Sequence, residues 1–195
     1  IPWRTVTGRQ SIYQDHPWMR AFGEGLVCYK PPLSKQEINN VKERLHITDN
    51  TLTLNLITPH NKWTIHSSWS DNLLMLTLGR GGPVIWISEA DAAKIDIQDN
   101  DWVEVFNDNG TASCRAIVSQ RIPEGALIMY HNQERTVNVP LSNITGNRGG
   151  IHNSISRLCL KPTHMIGGYA QLSYGLNYYG TIGANRDEFV IIRKC

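Results

Sequence analysis

The chain has 195 residues, 41% of them hydrophobic, with 19 Lys and Arg against 17 Asp and Glu and a formal net charge of +2. That is apolar material for one domain with an ordinary core, and it excludes an intrinsically disordered chain. The acids and bases are interspersed, which excludes a dedicated nucleic-acid surface, since that needs a basic patch or stripe.

In chain order, residues 1–50 read as an irregular N-terminal arm and residues 51–195 as a strand-rich domain. Within the arm, residues 7–13 suggest a short strand and Asp15-His16-Pro17-Trp18 a turn. Pro31-Pro32 marks extended chain. Ser34-Lys35-Gln36-Glu37 resembles a capping box and opens a short polar helix to about residue 45, poor in apolar residues and read as a surface excursion. Strands follow at 52–57 and 84–87. Ser88 then caps a short helix with acids in its first turn, running to about Lys94. Residues 101–106 alternate with period two, Asn107-Asp108-Asn109-Gly110 turns the chain, and residues 113–118 return it. Pro123-Glu124-Gly125 turns it again into a strand at 126–130, and a Gly- and Tyr-rich tail leads to a last strand at 188–193. Many short strands with few helices predict a mainly β protein, a compact β-barrel with short helices.

No run of residues approaches the apolar length of a membrane span, and no signal peptide opens the chain. Opening at Ile1 and stopping after Cys195, it reads as a piece of a longer protein. Cys28, Cys114, Cys159 and Cys195 are scattered, with neither zinc nor cluster spacing, so a reduced, cytoplasmic setting is the simpler reading.

Chemistry concentrates in three polar clusters. Thr58-Pro59-His60-Asn61-Lys62-Trp63-Thr64-Ile65-His66-Ser67 follows a strand, and similar runs recur at Met129 to Arg135 and at Arg148 to Ser154. Polar groups gathered after strand ends are where a scaffold presents a ligand. His60 and His66 allow three readings: metal ligands, ordinary hydrogen-bonding histidines, or donors to an anionic or heterocyclic ligand. Their spacing matches no metal motif, so the third reading is preferred. Lys62 and Arg80 are either solvated cations or phosphate partners, and the glycines flanking Arg80 permit close backbone approach. There is no P-loop, no G-x-G-x-x-G after a strand and no G-x-S-x-G elbow, so ATPase, Rossmann and serine-nucleophile readings fall away. The sequence offers binding groups without a catalytic constellation or a metal-ligand set, and neither Asp15 nor Asp71 is promoted to a catalytic role.

Residues 88–97 running into 99–106 resemble the dinucleotide-binding domain of molybdopterin oxidoreductases. Along almost its whole length the chain is similar to the C-terminal part of respiratory nitrate reductase alpha subunits. The most specific stretches are Thr7-Gly8-Arg9-Gln10, residues 56–67, Ser70-Asp71-Asn72-Leu73-Leu74-Met75-Leu76, Gln133-Glu134-Arg135, residues 148–154, residues 161–169 and residues 185–189. The resemblance implies a double-psi β-barrel that caps a bis(molybdopterin guanine dinucleotide) molybdenum cofactor. It implies that His60 and His66 contact one pterin and His131 and His152 the other. Thr58, Lys62, Trp63, Ser67, Asn153 and, in the tail, Asn177 or Tyr178 are further expected contacts. The molybdenum ligand and an iron–sulfur cluster would lie elsewhere in the parent, leaving this fragment inactive alone, with loading of the fragment itself left open. The implied parent reduces nitrate to nitrite in anaerobic respiratory electron transport. Its partners would be the rest of the alpha chain, a beta iron–sulfur subunit and a membrane cytochrome b-type subunit, at the cytoplasmic face of the membrane. Two alternatives stand beside it: the same domain of another molybdopterin oxidoreductase, and a non-enzymatic interaction barrel.

Overall fold

The computed structural model describes residues 1–4, 7–10, 12–13, 26, 34–47, 50–78, 82–131, 141–147, 149–156, 159–160, 172–173 and 188–195. The chain divides into two compact units, Ile1–Pro31 with Arg157–Asn185, and Pro32–Ser156 with Arg186–Cys195. In the first unit, β6 (Cys159–Leu160) and β7 (Leu172–Ser173) pair antiparallel. Where a strand is expected near residue 10, the described residues form turns and bends, and the Trp3 amide donates to the Gly8 carbonyl at 3.1 Å. Gly8 takes a positive φ of 68°, which breaks an extended run there.

The second unit is a closed six-stranded barrel. Its order is β1 (Leu52–Ile57), β5 (Ala126–Ile128), β2 (Val84–Ile87), β4 (Gly110–Val118), β3 (Trp102–Asn107) and β8 (Glu188–Lys194), with β8 returning to β1. The pairs β1–β5 and β2–β4 are parallel, and the others are antiparallel. A closed six-stranded barrel with two parallel pairs is the expected double-psi fold class. Among the described residues the unit carries the α-helices α1 (Ser34–Arg44), α2 (Leu73–Leu78) and α3 (Glu89–Lys94).

Period-two alternation decides what fills the barrel. From β8, Val190 and Ile192 point inward beside Leu54, Leu56, Val103, Val105 and Leu127. Ala112, Cys114 and Ala116 of β4 share that interior with small side chains. Burial pushes the Cys114 thiol well above its ordinary value, with Cys195 adding to the effect, so Cys114 packs as a small apolar group. The alternate residues Phe106 and Ile191 face outward and are nevertheless fully buried. Ile38 and Val41 of α1 cover them. The helix expected at residues 34–45 is therefore present, but it is docked on the barrel rather than a surface excursion. Two apolar residues three apart form a stripe narrow enough to look polar in sequence and still seal one sheet face.

At the other side, Ser88 caps α3, its hydroxyl oxygen accepting the Asp91 amide at 3.1 Å and donating to Asp91 Oδ2 at 2.9 Å. Asp91 is buried and also accepts from the Gly125 amide at 2.7 Å and from Lys94 Nζ at 2.9 Å, tying α3 to the turn that launches β5. Burial works against the carboxylate, but the hydrogen bonds from Gly125, Lys94 and Ser88 outweigh it and hold Asp91 below the usual carboxylate range. A depressed folded-state value contributes stability that is present above about pH 4 and is lost as pH falls through the folded value. Asp91→Asn is therefore expected to cost about 1–3 kcal/mol near pH 7, with the gap to wild type narrowing as pH drops below about 4. Urea unfolding across that range checks it; a gap constant with pH would remove the carboxylate from the account.

Candidate functional site

The parallel pairing of β1 with β5 builds the site. Their register sets Ile57 beside Ile128, and the ladder continues past both strands: the Met129 amide donates to the Ile57 carbonyl at 3.0 Å and the His131 amide to the Pro59 carbonyl at 3.1 Å. His131 stands as far past Ile128 as His60 stands past Ile57, so the two rings emerge side by side, centroids 5.0 Å apart. Beyond His60, Asn61 Oδ1 accepts the Trp63 amide at 3.0 Å, and Ile65 bridges to Ser68 in a tight turn. Within that turn His66 takes a left-handed φ of 51°, and its ring lies 5.4 Å from that of His60. A non-glycine residue held there stores strain that its surroundings must override.

His152 arrives from a different part of the chain, at the start of a 3-10 helix, His152–Ile155. Its ring is buried and stacks on His131 at 4.6 Å with an interplanar angle of 9°. The helix is pinned by Ile155, buried in the barrel core, and by Asn107 Nδ2, which donates to the Ile155 carbonyl at 2.7 Å. Gly150 makes the approach possible. Its φ is +114°, and a Cβ there would lie 2.7 Å from the Thr111 carbonyl oxygen and 2.8 Å from Ala112 Cα. Only glycine lets this segment lie against β4.

The four imidazoles form one continuous row, His66, His60, His131 and His152, graded from exposed to fully buried. A cavity of about 160 Å³ beside it is lined by His60, Asn61, Thr64, Ile65, His66 and His131. A second cavity of about 290 Å³ shares Asn61 and Thr64, and brings Lys62, Trp63, Trp86, Arg121 and Tyr130 to its walls. Lys62 Nζ sits 4.5 Å from the Trp63 ring centroid, which fixes a cation at the mouth. The hydroxyls of Thr58 and Thr64 are buried with no hydrogen-bond partner among the described residues. Buried polar atoms left in that state ask for a ligand. Among the described residues no three His, Cys, Asp or Glu side chains are grouped to hold a metal ion.

Of the residues expected from sequence, Thr58, His60, Lys62, Trp63, His66 and His131 thus gather at one end of the β1–β5 pair, and His152 joins them. Ser67 lies in the same turn and is exposed, its carbonyl accepting from the Ser70 hydroxyl at 2.9 Å. Asn153 follows His152 with its side chain exposed. Asn177, Tyr178, Arg80, Arg148 and residues 132–135 lie outside the described residues. Asn61, Thr64, Trp86, Arg121 and Tyr130 were not singled out by sequence. Asn61 and Thr64 share the first polar run and Tyr130 the second, whereas Arg121 reaches its cavity from the β4–β5 connection with no local signal.

A sequence model of the Molydopterin dinucleotide binding domain matches residues 54–172. The chain is 62% identical over 194 residues to the respiratory nitrate reductase 2 alpha chain of Escherichia coli K12, covering 100% of this chain and 16% of that protein. It is 53% identical over 194 residues to the nitrate reductase alpha chain of Bacillus subtilis 168, again covering 100% of this chain and 16% of the relative. The chain therefore spans about one sixth of the length of the curated relatives it matches. Acetylene hydratase from Pelobacter acetylenicus superposes with a TM-score of 0.60 at 15% identity, over 98% of this chain and 24% of that one, a likeness of fold alone.

Proposed function

We propose that this chain, which belongs to the Molydopterin dinucleotide binding domain family, is the C-terminal cofactor-holding domain of a respiratory nitrate reductase alpha subunit. The observation that carries the reading is the row of four imidazoles, drawn from three separated segments into one site beside the unpartnered Thr58 and Thr64 hydroxyls. That donor set suits a bis(molybdopterin guanine dinucleotide) cofactor, whose pterins carry ring nitrogens and an exocyclic amine and whose pyrophosphates are anionic. When bound, the molybdenum cofactor supplies the two-electron chemistry that converts nitrate to nitrite.

This chain's own residues bind and orient. His60 and His66 would donate to one pterin, and His131 with His152 to the other; an imidazole donates from one nitrogen while a partner holds the other. Lys62 brings positive charge for a pyrophosphate, and Trp63 offers an indole face. Thr58, Ser67 and Asn153 would supply further contacts, joined by Asn177 from the tail. Hydrogen bonds to a cofactor tune its electronics from outside the metal's ligand set. The catalytic ligand to the metal and an iron–sulfur cluster belong, on this reading, to other parts of the parent alpha chain. A beta iron–sulfur subunit would feed it electrons, and a membrane cytochrome b-type subunit would hold it at the cytoplasmic face. No described helix of this chain is long and apolar enough to cross a membrane.

The test is a substrate panel on the purified parent with reduced viologen as donor. Nitrate is expected to be turned over with the highest kcat/KM among nitrate, chlorate and other oxo-acceptors. Turnover of another acceptor with none of nitrate would reassign the chain to a different molybdopterin oxidoreductase.

A further inference from the structure

The turn after His66 leads into α2, whose sequence Leu73-Leu74-Met75-Leu76-Thr77-Leu78 has no charged residue and buries none of its side chains. Leu73 and Leu74 are 79% and 75% exposed, Ile65 is 70% exposed, and Trp69 and Leu78 are more than half exposed. Single exposed apolar residues mean little, but a contiguous patch of leucines and tryptophan marks an interaction surface. Trp69 holds this turn with a left-handed φ of 70°, an unfavourable conformation for a bulky side chain.

We propose that this face, residues 65–78, is the seam by which the barrel docks onto the rest of a longer alpha chain. The inference rests on the cofactor-domain reading above. Three observations select that occupant. The relatives carry about six times as much chain as is present here, so there is polypeptide to cover the face. The helix borders the candidate site, because Met75, Leu76 and Leu78 line the cavity that shares Asn61 and Thr64 with the histidine row, and Ile65 lines the cavity beside that row. The helix itself offers no charge, so the surface that meets it is apolar, with the exposed Asp71 at its edge; a charge set against the helix would lose its hydration without gaining a counter-ion. A seam there would close the site from water on its open side.

The test is amide hydrogen exchange over residues 72–78 in three preparations: the isolated 195-residue chain, the longer alpha chain from a host unable to make the cofactor, and the loaded longer chain. Exchange is expected to be roughly 100-fold slower in both longer-chain preparations than in the isolated chain. Leu73→Glu/Leu74→Glu should abolish that difference while leaving the isolated chain's unfolding midpoint unchanged, since both side chains are already exposed. Equal protection in the isolated chain would overturn the proposal, with sedimentation separating a second copy from cover by the chain's own residues. Protection confined to the loaded form would overturn it too, because the cofactor would then be the cover. Molybdenum content of the loaded preparation is read separately, so a failed cofactor assignment is distinguishable from a failed seam.

Discussion

Replacing Glu104 by alanine is expected to destabilise the barrel by about 3–5 kcal/mol, which is much of a typical domain's stability. Glu104 on β3 is buried, and register places it directly opposite Arg193 on β8. Arg193 donates to Glu104 Oε2 through Nε at 3.0 Å and Nη2 at 2.6 Å, a two-point contact. The other carboxylate oxygen accepts the Ser142 hydroxyl, while the same Ser142 oxygen accepts the amides of Ile144 and Thr145 at 3.0 and 3.1 Å. One carboxylate thus joins the barrel wall to the turn at residues 141–147, a few residues before His152. Without it a partly buried guanidinium and a hydroxyl lose their partner, and a charge left unpaired there costs more than the pair contributes. The control separates these effects: Glu104→Met/Arg193→Met removes both charges and should cost less than Glu104→Ala alone. Urea unfolding reads both variants, with the midpoint falling and the slope unchanged for the single one. A single variant within about 0.5 kcal/mol of wild type would show that the network is idle.

The barrel was legible because its strands are apolar with period two and their turns are marked by Pro, Gly and Asn. The helix at residues 34–45 was legible too, but its docking on the barrel was not, and α2 was missed altogether. In α1 the buried stripe is only Ile38 and Val41, too few to stand out, and its partners Phe106 and Ile191 lie far along the chain. In α2 nearly every residue is apolar, so no periodicity distinguishes an exposed helix from a buried strand. For the site, local crowding pointed to residues 58–67, and grouping His60 with His66 and His131 with His152 came only from the family resemblance. That His60 also abuts His131 follows from the parallel β1–β5 register, a long-range pairing that no local pattern encodes. Gly150 was visible in the third polar run, but its reason, the approach to Thr111 and Ala112, exists only in the fold.

The second large effect concerns loading. His152 is the buried end of the row and His60 its hub, touching both His66 and His131. Removing both should take donors from each of the two pterin contacts proposed here, whereas removing one leaves the other anchored. For outer-sphere partners of a metal site, loss of a group costs about 10–100-fold in affinity or activity. The double variant His60→Ala/His152→Ala in the longer alpha chain is expected to reach the upper end of that range in viologen-linked nitrate reduction. His60→Gln, which keeps a donor, should recover part of it. Equal activity in His60→Ala/His152→Ala and His60→Gln/His152→Ala would mean that a hydrogen-bond donor at position 60 is not what supports turnover.

The measurement that bears most directly on the account is the molybdenum and guanine-nucleotide content of the purified longer chain, wild type beside His60→Ala/His152→Ala. Wild-type protein is predicted to carry about one molybdenum and two guanine nucleotides, and the double variant distinctly less of both. Wild-type protein without molybdenum, made in a host competent to produce the cofactor, would contradict the assignment. Full loading with full activity in the variant would keep the family and take the histidines out of the site.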